Sequence, residues 1–221
     1  VDDYLSEREQ WEWLKAQVRV NGPWIVAGVA AGVLVLGGWR WWQGRADRLA
    51  VTASAQYQQI VDAFGRGERA RALGLIDTLA RDQPKSPYID QANLAAARVL
   101  VGAGELDKAS ARLKRVMDQS ADHALALVAR ERLARVQIAQ NAPDAALATL
   151  AAVDPGSFAP LFHEVRADAF EAKKDFASAL KEYRVARAAQ ASGIVDPESL
   201  DLKIIDLVAD ERAPSAAAVA K

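Results

Sequence analysis

The sequence predicts an all-α chain: a single N-terminal transmembrane helix, then an α-solenoid of about four helix pairs closed by a C-terminal capping helix. Three observations carry this expectation. Residues 20–39, VNGPWIVAGVAAGVLVLGGW, run without a charge. Beyond them the chain is rich in Ala, Leu, Arg and Glu, poor in β-type alternation, and punctuated by short clusters of Gly, Pro, Asn and Asp, the pattern of helices joined by tight turns. Finally, one helical element is used four times: GERARALGLIDTLARDQP, GELDKASARLKRVMDQSA, NAPDAALATLAAVDPG and KDFASALKEYRVARAAQ superpose without gaps through their centres.

Residues 1–19 form a short amphipathic head. Leu5, Trp11, Leu14 and Val18 fall at helical spacing, with Asp2 and Asp3 placed to cap. Acid outnumbers base there, so the head lacks the cationic face of a helix that binds anionic lipid. Asn21-Gly22-Pro23 is expected to end that helix, because Pro23 suits the first turn of the next one, where its missing N–H would be unpaired anyway.

Residues 20–42 are expected to span a membrane. At about 1.5 Å per residue the uncharged run reaches roughly 30 Å, the thickness of a hydrocarbon core. Trp24 near its start, and Trp39, Trp41 and Trp42 near its end, sit where amphipathic rings prefer the interface, and Arg40 can snorkel. A cleaved signal peptide fits poorly: the head is long, the apolar run exceeds a usual signal core, and WRWWQG is no small-residue cleavage site. Gly28 and Gly32 form a GxxxG pattern that lets a second membrane helix approach closely, although small residues are common in any span. Charge does not orient the span, since Arg8, Lys15 and Arg19 on one side balance Arg40, Arg45 and Arg48 on the other.

Residues 43–212 hold the repeats. A small residue recurs at Ala72, Ala109, Ala146 and Ala179, every 33 to 37 residues. Four positions on come Ile76, Leu113, Leu150 and Tyr183; three further on, Leu79, Val116, Val153 and Ala186. Steps of four and three place each trio on one helix face, the small residue admitting a close neighbour and the larger ones filling the core. Gly67, Gly104, Asn141 and Lys174 mark the turns before these helices and need the left-handed conformation, which suits Lys174 least. The first helices of the pairs are expected at about 49–65, 88–102, 123–140 and 159–173. SGIVDPE closes the fourth pair, ESLDLKIIDLVAD supplies the cap, and residues 213–221 are expected to form a flexible tail.

With 28 basic and 29 acidic side chains the chain gives no electrostatic reason to bind nucleic acid. It has no cysteine, which excludes disulfides, thiolate metal sites and cysteine nucleophiles. His123 and His163, each at the start of a predicted first helix, have no metal-ligand spacing and read as surface or cap residues. No phosphate loop or GxSxG is present, and carboxylates such as Glu131, Glu164 and Asp168 read most simply as solvated helix faces. The chain is therefore expected to be no enzyme and to need no cofactor or metal. A helical solenoid works as a binding wall lined by its first helices. The repeat register points Tyr57, Leu94, Arg98, Glu131, Arg135, Glu164 and Asp168 toward that wall.

The repeated unit resembles the tetratricopeptide repeat, with Gly67, Ala72, Ile76 and Pro84 matching best. The closing Pro is missing after the second unit, the first helices lack the usual Trp, Gly and Tyr, and the longer period implies extended turns such as QPKSPY at 83–88. Over nearly its whole length the chain resembles the YfgM-type ancillary subunits of the bacterial SecYEG translocon. The likeness rests on the acidic head, the span closing in Trp39-Arg40-Trp41-Trp42, SAQYQQIVDA at 54–63, and LARVQ at 133–137 followed by DAALATL at 144–150. It implies a single-pass protein of the bacterial inner membrane, head in the cytoplasm and repeats in the periplasm. The implied partners are the SecYEG translocon, a membrane-anchored periplasmic chaperone of the prolyl-isomerase-like kind, and emerging secretory proteins. A scaffold or assembly factor for another envelope complex, without nascent-chain contact, is the alternative reading.

Overall fold

A computed structural model describes residues 7–189, 193 and 195–219. The described residues form nine α-helices and no strand: α1 (Glu7–Gly65), α2 (Arg69–Asp82), α3 (Tyr88–Gly102), α4 (Leu106–Gln119), α5 (His123–Ala139), α6 (Pro143–Ala151), α7 (Ala159–Ala172), α8 (Phe176–Ala188) and α9 (Pro197–Val219). The chain divides into two compact units, Val1–Ser54 and Ala55–Lys221.

In the first unit the expected break at Asn21-Gly22-Pro23 does not occur. Pro23 lies inside α1, and the helix bends there instead of ending: the limbs Trp11–Trp24 and Val26–Gln43 meet at 41°. Proline removes one backbone hydrogen bond and crowds the carbonyl four residues back, which kinks a helix that continues on both sides of it. Nor does a new helix start at 49, because the segment from Gln43 to Gln56 holds no proline or turn cluster to stop propagation. Asp2, Asp3 and Leu5 lie outside the described residues. No single helix among the described residues is long and apolar enough to cross a membrane; the bent pair together is, by length and composition. Among the described residues its large apolar side chains are exposed, Leu34 by 76% and Val35 by 71%. Trp39 and Trp42 stand with ring centroids 6.1 Å apart.

The second unit is built from the four expected turns. Gly67, Gly104, Asn141 and Lys174 all take positive φ, between 60° and 75°. Each lets two amides reach back into the preceding helix: Gly67 N–H to Phe64 O and Glu68 N–H to Ala63 O in the first turn, Lys174 N–H to Glu171 O and Asp175 N–H to Phe170 O in the last. This is the Schellman arrangement, which satisfies the helix-end carbonyls while reversing the chain. The repeat register holds as well. Ala72, Ala109, Ala146 and Ala179 are fully buried, as are Ile76, Leu150, Tyr183, Leu79 and Val116, and Leu113 and Ala186 nearly so. Val153 alone is only partly buried, because α6 ends at Ala151 before Asp154-Pro155 and a short 3-10 turn over Gly156–Phe158. Arg130 and Arg166 donate to the Thr149 and Leu150 carbonyls that this early stop leaves open.

The core runs through the stack in successive clusters. Leu94, Leu113, Val116 and Leu133 join α3, α4 and α5; Leu150, Phe162 and Val165 join α6 and α7; Tyr183, Leu200 and Leu207 join α8 to α9. Arg187 holds Asp201 through two parallel bonds of 2.6 and 2.9 Å, locking the cap in place. The cap runs past residue 212 into the alanine-rich stretch given above to a tail, alanine being the strongest helix former. First helices touch first helices, α3 to α5 and α5 to α7, whereas no comparable contact joins α4 to α6 or α6 to α8 among the described residues. The stack therefore presents α3, α5 and α7 as one row, to which α9 is joined through Lys203, bonded to Glu164 and Asp168 of α7.

Candidate functional site

Along that row the register brings together four of the seven expected wall residues. Glu131 and Arg135 sit one turn apart on α5, so their side chains meet: Arg135 Nε lies 2.5 Å from Glu131 Oε1. Arg135 Nη2 stands 3.6 Å from Glu164 on α7. Glu164 and Asp168, again one turn apart, both accept from Lys203 Nζ on α9, at 3.0 and 2.7 Å. Asp168 also accepts from the Tyr183 hydroxyl at 2.5 Å, and Glu171 lies 2.8 Å from the same hydroxyl. The Lys203 ammonium stands 5.3 Å from the Tyr183 ring centre. One chain of charge thus stitches α5, α7, α8 and α9 together.

These carboxylates are not the solvated faces expected of them. Glu131 is 5% exposed, and the Glu164 side chain 12%. Burial pushes the Glu131 carboxyl above its ordinary range, with Arg135 pulling the other way. Its Oε1 makes an ionic contact with Arg135 but no aligned hydrogen bond. Tyr183 is pushed far up by burial first and then by the bond to Asp168. At Lys203 burial works to lower the pKa, and the bonds to Asp168 and Glu164 outweigh it, so the ammonium is held above its ordinary range.

Of the remaining expected residues, Tyr57 is half-buried and stacks on Tyr88, with ring centroids 5.5 Å apart. Arg98 is exposed and lines a cleft with Arg135. Leu94 requires correction: it belongs to the core, because it shares a face of α3 with Ala97 and meets the α4 and α5 apolar residues. His163 is no cap residue; its Nδ1 is 2.6 Å from Glu182 Oε2 on α8. Gly28 and Gly32 have open space around them, nothing lying within 4 Å of where a Cβ would stand. Sequence reasoning missed Lys203, Glu171 and Arg132. A signal for the first two existed: Glu164, Asp168 and Glu171 follow steps of four and three, one face of α7, and Lys203 is the first cation in the capping helix.

The cleft lies between α3 and α5 and measures about 300 Å³. Ala97, Val101, Leu113 and Val136 form its floor, and Arg98, Arg132 and Arg135 its rim. Among the described residues no group of three His, Asp or Glu is arranged to hold a metal ion.

The family model described as a tetratricopeptide repeat-like domain matches residues 15–209. Proteins named ancillary SecYEG translocon subunit are similar along most of their length. The one from Escherichia coli K12 is 33% identical over 79% of this chain and 84% of its own. Those from Neisseria gonorrhoeae and Haemophilus influenzae are 29% and 27% identical over 92% of this chain and 98% of theirs. Among solved structures, MamA residues 41 to the end from Desulfovibrio magneticus RS-1 superposes with a TM-score of 0.51 at 16% identity, over 73% of this chain and 96% of its own. The MamA RS-1 ArsTM double mutant superposes with a TM-score of 0.50 at 14% identity, over 74% and 97%. Those two likenesses concern the fold.

Proposed function

Because the chain belongs to the tetratricopeptide repeat-like family of ancillary SecYEG translocon subunits, we propose that it is a membrane-tethered adaptor at the exit of the Sec channel. It works by protein–protein binding and not by catalysis. The bent apolar part of α1 anchors it in the inner membrane, head in the cytoplasm and repeats in the periplasm. The first-helix row takes segments of emerging secretory chains and passes them to a membrane-anchored chaperone of the prolyl-isomerase-like kind.

The observation that carries this reading is the pairing of two features in one chain. One is a helix whose apolar residues find no protein cover, as a lipid-facing helix requires. The other is a repeat stack with a continuous row of first helices. Tethering gives a weak groove an effective concentration that reaches the millimolar range for short links, so modest affinity suffices beside a channel. Gly28 and Gly32, open on their face of α1, offer the place where a translocon helix packs.

The test is affinity purification of the tagged full chain from detergent-solubilised membranes. Translocon subunits should co-elute; a different envelope complex in their place would favour a scaffold. An alkaline phosphatase fusion after Lys221 should be active, and an inactive one would overturn the orientation.

A further inference from the structure

We propose that the cleft between α3 and α5 docks an acidic polypeptide segment that presents one large apolar side chain between carboxylates. This rests on the binding-wall reading above and adds the chemistry of what the wall selects.

The floor is apolar and open. Leu113 and Val136 form its depth, and Val101, 41% exposed, forms an uncovered lip. A volume of about 300 Å³ lies at the small end of pockets that take a ligand, room for one side chain with its flanking backbone. The rim is wholly cationic. The Arg98 and Arg132 side chains are exposed and belong to no ion pair among the described residues, although the Arg132 charge still acts through space on the buried Glu131 beside it. Arg135 is engaged with Glu131 and stands near Glu164. No carboxylate lines the cleft. Exposed guanidinium groups beside an apolar floor suit a side chain inserted between carboxylates, each of which an arginine can hold by two parallel bonds.

The rest of the row fixes where such a segment sits. Toward α7 and α9 the same face carries Glu164, Asp168 and Glu171, with Lys203 as the cation between them. That end repels an acidic segment, and the arginine rim repels a basic one. Opposite signs at the two ends confine the acidic ligand to the cleft.

The test uses the full chain in nonionic detergent and two fluorescein-labelled decapeptides read by anisotropy. One has a central leucine with two aspartates on each side; in the other the aspartates are lysines. At 50 mM NaCl the acidic peptide should bind about tenfold more tightly, an advantage within reach of a few exposed charge pairs. The advantage should shrink at 300 mM as screening shortens. Arg98→Gln with Arg132→Gln should largely remove the preference with the circular dichroism spectrum unchanged, both side chains being exposed and the neutral replacement setting no new carboxylate beside Glu131. Replacing the central leucine by serine should weaken binding several-fold. Equal binding of the two peptides, an unchanged preference in the double variant, or indifference to the leucine would overturn the assignment. So would dimerisation of the chain itself that the double variant abolishes, which would give the cleft to a second copy. The outcome is separable from the translocon reading: loss of co-purification leaves the peptide preference untouched, and loss of the preference with intact co-purification strikes the cleft alone.

Discussion

Tyr183→Phe isolates the hydroxyl that ties α8 to the charged row. Where the other repeats place Ile76, Leu113 and Leu150, the fourth places a fully buried tyrosine whose hydroxyl stands between Asp168 and Glu171. Phenylalanine keeps the ring in the core and removes only the donor. A hydrogen bond to a charged group contributes about 1.5–3 kcal/mol, so that is the expected loss. For a domain of this size it lowers the melting midpoint by about 3–12 °C. Tyr183→Ala, which also leaves a cavity, should cost about 3–5 kcal/mol or more. The assay is thermal and urea denaturation of the full chain in detergent, followed by circular dichroism. A double-mutant cycle with Asp168→Asn should give a coupling of at least about 0.5 kcal/mol, because the two groups share one bond. A Tyr183→Phe variant within about 0.5 kcal/mol of the parent, or additive behaviour in the cycle, would refute the tie.

Gly104→Ala should destabilise by about 1–2 kcal/mol although a Cβ there meets nothing within 4 Å, because φ is +73° and the whole cost is backbone strain. Gly74→Ala, in the exposed middle of α2 with equally open space, should stabilise by about 0.5–1 kcal/mol; the same urea midpoints decide both. Stability should also fall at alkaline pH. Tyr183 and Lys203 are both held above their ordinary values of 10.0 and 10.5, so the folded chain keeps protons that the unfolded chain loses. Their contribution is complete below about pH 10 and lost as pH rises through the folded values, and the decline should be shallower in Tyr183→Phe. Gly28→Leu with Gly32→Leu should reduce translocon recovery while sparing membrane insertion; unchanged recovery would remove the lateral contact.

The repeats were legible because each rests on local chemistry. A residue suited to positive φ announces three of the four turns, and an alanine followed four positions on by a large apolar or aromatic residue announces each buried face. Lys174 was readable by position alone, the register requiring a left-handed residue even where the side chain resists it. The kink at Pro23 was not readable, since proline marks a helix start and a helix bend with the same letter, and Asn21-Gly22 before it point to a break that the helix does not make. Register arithmetic put Glu131, Arg135, Glu164 and Asp168 on one side of their helices, and the structure brings the four side chains together there, as spacing along a helix fixes a face. It could not tell wall from core for Leu94, which depends on how closely α4 and α5 approach α3. The same inter-helix geometry hides the cleft: Arg132 joins the rim only because α5 lies against α3.

The central claim, that the first-helix row meets proteins at the Sec channel, is tested most directly by photocrosslinking in living cells. A benzoylphenylalanine would replace Arg98 or Arg135 on the row, and Lys114 on α4 as the control, an exposed residue of a second helix. The expected result is adducts with translocon subunits, the periplasmic chaperone or secretory chains from positions 98 and 135, and none from 114. Absence of all three kinds of adduct from the row, or the same adducts from position 114, would contradict it.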